Sequence, residues 1–176
     1  MNLLLRLLWR RLAGRFQPRI EITSPAWTPF RVLPTDLDVH LHMNNGVYLS
    51  LLDVARMDLL QRADLIRPLR KKGWFPVVTA ESIGFRRSLR LFQRFEVSTR
   101  ILGWDDRSFY VHQRFVRQGE VVAAALVVGR FLDRDGGSVP AAAVAALAGV
   151  GESPPVPEWA LRLGRDQEAL RQDAVG

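Results

Sequence analysis

The stretch DLDVHLHMNNGVY, Asp36 to Tyr48, decides the reading of this chain. It sets two acids, two histidines and two asparagines directly ahead of a run with helical periodicity. From Asn45 to about Arg62 the apolar residues Tyr48, Leu51, Leu52, Ala55 and Leu59 recur at i, i+3, i+4, i+7 and i+11, the spacing of a helix that faces a core. Val47, Leu49, Val54 and Leu60 make much of the remaining surface apolar, so the helix is expected to be largely enclosed.

Outward from this junction the period changes from helical to alternating. Upstream, Trp27 to Leu33 reads as a short strand or edge segment among Pro25, Pro29 and Pro34. Downstream, Phe95, Val97, Thr99 and Ile101 alternate with Arg94, Glu96, Ser98 and Arg100, and Phe109, Val111, Gln113 and Phe115 alternate with Tyr110, His112 and Arg114. Such alternation is what half-buried antiparallel strands require. The spacing predicts four successive strands, roughly Val77 to Phe85, Leu91 to Gly103, Ser108 to Gln118 and Val121 to Leu132. Gly103 to Arg107 reads as a turn and Gln118-Gly119 as a tight two-residue loop. Val121 to Leu132 is more continuously apolar, as suits a strand covered on both faces or buried in an interface. The fold class is therefore α+β: an antiparallel sheet of about five to six strands around one long central helix. At about 1.5 Å per residue an 18-residue helix spans about 27 Å, close to the width of such a sheet at about 4.8 Å per strand.

The chain has 176 residues, 48% hydrophobic and 24% charged, which suits an ordinary folded domain. Residues 1–24 read as a basic amphipathic segment, 25–150 as the domain proper, and 151–176 as a proline-marked linker with a charged tail that is either a surface helix or partly disordered. The absence of cysteine removes disulfide and thiolate-metal chemistry and fits a reducing compartment, so a cytoplasmic location is expected. Of 25 basic residues only Lys71 and Lys72 are lysine, leaving 23 arginines behind the net charge of +7. The arginines are scattered without a nucleic-acid-binding module, so no nucleic-acid partner is expected. Residues 1–16 are too short and too often interrupted by arginine to span a bilayer or serve as a signal peptide. Two readings of them stand side by side: peripheral contact with anionic lipid at the inner face of the membrane, or a packing helix.

The run LPTDLDVHLHMNNGVYL, Leu33 to Leu49, resembles the strand-to-helix junction of hot-dog-fold acyl thioesterases of the 4-hydroxybenzoyl-CoA thioesterase-like group, with their D-x-D, H-V/M-N-N and x-x-Y-L pattern. Ser82 to Phe131 is similar to their strand-rich second half, nearest to a subgroup related to thioesterase-superfamily-member-6 proteins. The resemblance covers about Thr28 to Leu132. It implies a hot-dog fold and hydrolysis of an acyl-CoA or acyl carrier protein thioester to acid and thiol, without a cofactor or metal. It also implies a homodimer, or a tetramer built from it, which the edge strands of so small a sheet favour on physical grounds. Where many relatives place a glycine two residues after the matching aspartate or just beyond, this chain has Val39, His40 and Leu41.

Thioester hydrolysis needs a carboxylate that attacks the carbonyl or activates water, and donors aimed at the oxyanion. A helix N-terminus supplies such donors. The resemblance makes Asp38 the nucleophile or general base, with the amides of Asn45 and Gly46 as oxyanion donors and His42 orienting the loop. Read on residue type alone, Asp38 closes an Asx turn and Asn44 or Asn45 caps the helix. Asp36 is expected to support the loop, and His40 with His42 lacks the further ligand a metal needs. Asp53, the acid available on the central helix, is expected to pair with Arg56 at i+3. Arg86, Arg87 and Arg90, with Arg94, form a cluster suited to substrate phosphates or to a solvated strand face. Tyr48 and Thr79 complete the substrate-contacting set, Thr79 with Glu81 and Ser82 being expected, from their position on the first of the four strands, to line the site across the dimer. Two competing functions stand behind hydrolysis: a non-catalytic, membrane-associated acyl-binding or scaffolding protein, and a hot-dog hydratase, whose usual P-x-x-P-G helix start is absent.

Overall fold

The computed structural model of the protein describes residues 18–173, so residues 1–16, read as membrane-contacting or packing, lie outside the described residues. Strand β1 is Ala26–Arg31, followed by a 3-10 turn at Pro34–Asp36 and the long helix α1, Asn45–Arg62. A short helix α2, Ile66–Lys72, leads into β2 (Phe75–Phe85), β3 (Arg94–Trp104), β4 (Ser108–Arg117) and β5 (Glu120–Leu132). A two-residue strand β6 (Ser138–Val139) and helices α3 (Ala141–Leu147) and α4 (Glu158–Asp173) complete the chain. The sheet order is β1-β3-β4-β5-β2, with β6 beside β5 and β2 as one edge. β1 and β3 pair antiparallel, Ala26 opposite Thr99 and Arg31 opposite Arg94.

The connections follow from local chemistry. Gln118 and Gly119 both take positive φ, 52° and 79°, the backbone that a two-residue hairpin of matching twist requires. In the β3–β4 turn the Asp105 carboxylate accepts from the amides of Arg107 and Ser108 at 2.9 and 2.7 Å. On β5, Val122, Ala123 and Ala125 through Val128 are buried, so both faces of that strand are covered, in line with its continuous apolar run.

The chain divides into two compact units. One holds the chain up to Leu65 together with Gly84–Arg100 and Gln113–Ala124; the other holds Ile66–Ile83, Ile101–His112 and Ala125 onward. In the first, Tyr48, Leu51, Leu52, Val54 and Ala55 of α1 are buried, and Tyr48 meets Phe85 and Phe115 edge-on at ring-centroid distances of 5.0 and 4.9 Å. Gln113, fully buried, donates to the Leu52 carbonyl and Thr99 Oγ1 and accepts from Arg56, so its side-chain amide is satisfied from three sides. Buried Asp58 accepts from Thr28 Oγ1 at 2.9 Å and faces Arg62, which joins α1 to β1. In the second unit Ala80, Tyr110, Leu126, Val128 and Ala160 form one cluster, with Leu102, Val156, Leu161 and Leu163 packed against it. The charged tail is thus a helix, and its apolar residues cover the Tyr110 side of the sheet.

Candidate active site

The loop between β1 and α1 is built by its own acids. Asp36 is fully buried; its carboxylate accepts from the Leu33 amide at 2.8 Å and its carbonyl from the Asn44 amide at 2.8 Å, which clamps the two ends of the loop together. Leu37 and Met43 then form an antiparallel bridge, inside which Asp38 N donates to the His42 carbonyl at 2.8 Å. Asp38 Oδ1 accepts from the amides of His40 and His42 at 2.9 and 3.1 Å. The reversal between them is made by Leu41 at φ 59°, a left-handed conformation that favours glycine.

Asp38 lies partly exposed with Oδ1 held by the loop and Oδ2 without a hydrogen bond among the described residues. The hydrogen bond from the His42 amide holds its carboxyl below the ordinary carboxylate value, against a partial desolvation, and the His40 amide acts in the same direction. The group is therefore an anion with one oxygen anchored and one oxygen presented.

Asn44 caps α1: its side chain accepts from the Gly46 amide at 2.8 Å. The Gly46 N–H, expected as an oxyanion donor, is thereby engaged within the protein. The Asn45 amide, the first of the helix, carries no hydrogen bond among the described residues and remains open for an incoming oxygen. Gly46 still matters sterically, because a Cβ there would lie 3.2 Å from Asn44 Oδ1 and press on the cap. Both geometries expected from residue type alone, the Asx turn and the asparagine cap, are present, and neither consumes Asp38 Oδ2.

Two of the cluster arginines are placed beside this loop or stand free of ion pairs. His42 and Arg90 form an antiparallel bridge and Met43 N donates to the Leu89 carbonyl at 2.8 Å, so Arg90 is fastened to the Asp38 loop through the backbone. The exposed Arg86 and Arg90 side chains have no ion-pair partner among the described residues, whereas Arg87 is paired with Glu120. Tyr48, placed in the substrate-contacting set, is instead 2% exposed, its ring between Phe85 and Phe115 and its hydroxyl accepting from the Leu89 amide at 3.4 Å. Burial closes it to a direct substrate contact and gives it the work of seating the loop on the core. Thr79 belongs to the other unit, where its hydroxyl donates to the Val128 carbonyl at 3.0 Å. Asp53 pairs with Arg56 as its i+3 spacing implies. No group of three or more potential metal ligands occurs among the described residues, and no helix among them is long and apolar enough to cross a membrane. The sequence reading weighed Asn44 only as a cap; that its cap would take the Gly46 amide out of the site follows from side-chain geometry alone.

Comparison with known proteins gives the family and the fold. The profile of the thioesterase-like superfamily matches residues 32–163. Protein THEM6 of Xenopus laevis is 43% identical over 99 residues, 56% of this chain and 48% of the relative; Protein THEM6 of Danio rerio is 39% identical over 127 residues, 72% of this chain and 63% of the relative. The chain thus spans about half to two thirds of the length of these relatives. Among solved structures, the probable thioesterase YbaW from Escherichia coli superposes with a TM-score of 0.61 at 26% identity, covering 65% of this chain and 88% of the other. The antiparallel sheet with its helices is the hot-dog fold of these structures.

Proposed function

The chain belongs to the thioesterase-like superfamily, and from that premise we propose that it hydrolyses an acyl thioester, of coenzyme A or of an acyl carrier protein, to the free acid and thiol. The observation that carries this reading is the Asp38 carboxylate: ionised, anchored through Oδ1, and presenting Oδ2 just ahead of the α1 N-terminus. Oδ2 either attacks the thioester carbon and expels the thiolate, leaving an acyl-aspartyl anhydride that water then cleaves to the free acid and the Asp38 carboxylate, or it takes a proton from a water that attacks the carbon while the thiolate leaves; in both cases the proton released from water reaches the thiolate through solvent. The developing oxyanion is met by the Asn45 amide and the positive end of α1. His42 positions Asp38 through its backbone amide rather than by acid–base chemistry, and Arg86 and Arg90 are the groups free to meet substrate phosphates.

The assembly we propose is a homodimer formed through the edge of β2, supported by the length of that strand and by the exposure of Phe75, Val78 and Phe85 along it. A cytoplasmic location and membrane contact through residues 1–16 belong to the same proposal. The test is thiol release from acyl-CoAs of graded length and one aromatic acyl-CoA, by wild type and Asp38→Asn. Turnover that disappears in the variant while it still melts as a folded protein, within a few degrees of wild type, supports hydrolysis by Asp38. A wild type silent on every CoA ester and every carrier-protein ester favours the acyl-binding alternative.

A further inference from the structure

A cavity of about 350 Å³ lies wholly within the second unit, bounded by β2, the β3–β4 turn, β5 and α4. Three guanidinium-bearing residues from three different elements line it: Arg107, Arg130 and Arg165. Among the described residues the acid in the wall is Asp105, and it is turned to its own loop: Oδ1 accepts from the Arg107 and Ser108 amides, and Oδ2 from the Tyr110 hydroxyl at 2.8 Å. Tyr110 stays protonated, its hydroxyl pushed up to about 12 by desolvation first and by the Asp105 hydrogen bond and charge next. The wall therefore offers one neutral donor–carboxylate pair and an excess of positive charge.

The arginines are unequally satisfied. Arg165 is ion-paired with Glu158. Arg107 and Arg130 have no acceptor for their side chains among the described residues, and Nε of Arg130 is shut off from solvent with no hydrogen-bond partner. A charged donor buried without an acceptor is costly, and an oxyanion in the cavity relieves that cost. Guanidinium forks from several directions match a phosphate better than a single carboxylate. The volume exceeds that of a bare phosphate and sits at the small end of small-molecule sites, which run from about 300 to 1,000 Å³.

We propose that this cavity is a binding site for a phosphorylated small molecule, held through a phosphate or diphosphate by Arg130 and Arg107. The site stands independently of Asp38 chemistry, because its readout is binding and not turnover.

The experiment is calorimetric titration of the full chain with pyrophosphate in low-salt, phosphate-free buffer, for wild type, Arg130→Gln, Arg107→Gln and the exposed Arg100→Gln outside the cavity. Saturable binding to one site is expected, weakened about tenfold by each pocket variant, equivalent to about 1.4 kcal/mol, and unchanged by Arg100→Gln. Arg107 is exposed, so its variant carries the test even where Arg130→Gln fails to fold. The absence of saturable binding, indifference to both pocket variants, or an equal loss in Arg100→Gln would overturn the proposal. Adenosine 3′,5′-bisphosphate separates the sources: tighter binding than pyrophosphate points to the nucleotide end of a coenzyme A thioester, and weaker binding to a separate, more compact phosphorylated ligand. Either result keeps the site.

Discussion

Replacing Asp38 by asparagine separates the chemistry of this side chain from its loop-building. The asparagine carbonyl can accept from the His40 and His42 amides where Oδ1 now does, at 2.9 and 3.1 Å, so the loop and its Leu37–Met43 bridge are retained. What is lost is the anionic Oδ2, which makes no hydrogen bond within the described residues and so supports nothing but reaction. Removing a positioned base of this kind lowers the rate by about 10²- to 10⁴-fold, and kcat/KM for the best acyl-CoA is expected to fall in that range while Tm drops only slightly, by the part of the two amide hydrogen bonds that depends on the charge. Asp38→Ala removes the acceptor as well and should lower Tm in addition to the rate. The pH profile supplies a second check. Because the folded carboxyl lies below its ordinary value near 3.9, its contribution to folding is present above that value and is lost as pH falls through the lower folded value. No acid limb of kcat/KM belonging to Asp38 is therefore expected between about pH 5 and 7. The reasoning fails if Asp38→Asn keeps more than a tenth of wild-type kcat/KM.

Asn44→Ala, which removes the cap on the Gly46 amide, should cost about 1 kcal/mol in urea unfolding, with Asn44→Asp restoring it. Gln113→Leu strips a fully buried amide from Leu52, Thr99 and Arg56 and should cost about 2–4 kcal/mol by the same measurement. Gly103→Ala should lower Tm by about 4–8 °C, for a cost of about 2 kcal/mol, since the new Cβ would meet the Pro154 carbonyl at 2.5 Å from a φ of 155°; an unchanged Tm would show that the Ser153–Val156 segment is not packed there.

Much of this fold was legible because its signals are periodic. The Asn45–Arg62 helix carries an asparagine cap in front and an apolar stripe along its length, and the structure ends it where the stripe ends. Strand ends were less legible: β3 begins at Arg94 rather than Leu91, because Phe92 adopts φ 60° and Arg90 and Gln93 close a turn that apolar alternation does not reveal. Helix α2 escaped notice because Pro68 reads as a breaker, although within the first turn of a helix its missing N–H costs nothing. At the site, residue type alone gave the Asx turn and the cap, and only the resemblance singled out Asp38; which helix-start amide the cap engages depends on the rotamer of Asn44, and that the Tyr48 ring turns into the core cannot be read from its place after a motif. Arg107, Arg130 and Arg165 are too far apart in sequence for any spacing rule to join them.

The lid that α4 places over Tyr110, Leu126 and Val128 also limits how copies of this chain can be arranged. Two sheets stack by pressing bare faces together, and on this side the face is already roofed by Ala160, Leu161 and Leu163, with Trp159 edge-on to His112. A stacked quaternary arrangement through that side would first have to peel away a helix, whereas growth along the rim of β2 leaves it seated. Deleting the residues of α4 would therefore be felt as new stickiness between molecules, and concentration-dependent sedimentation is where it would first be seen.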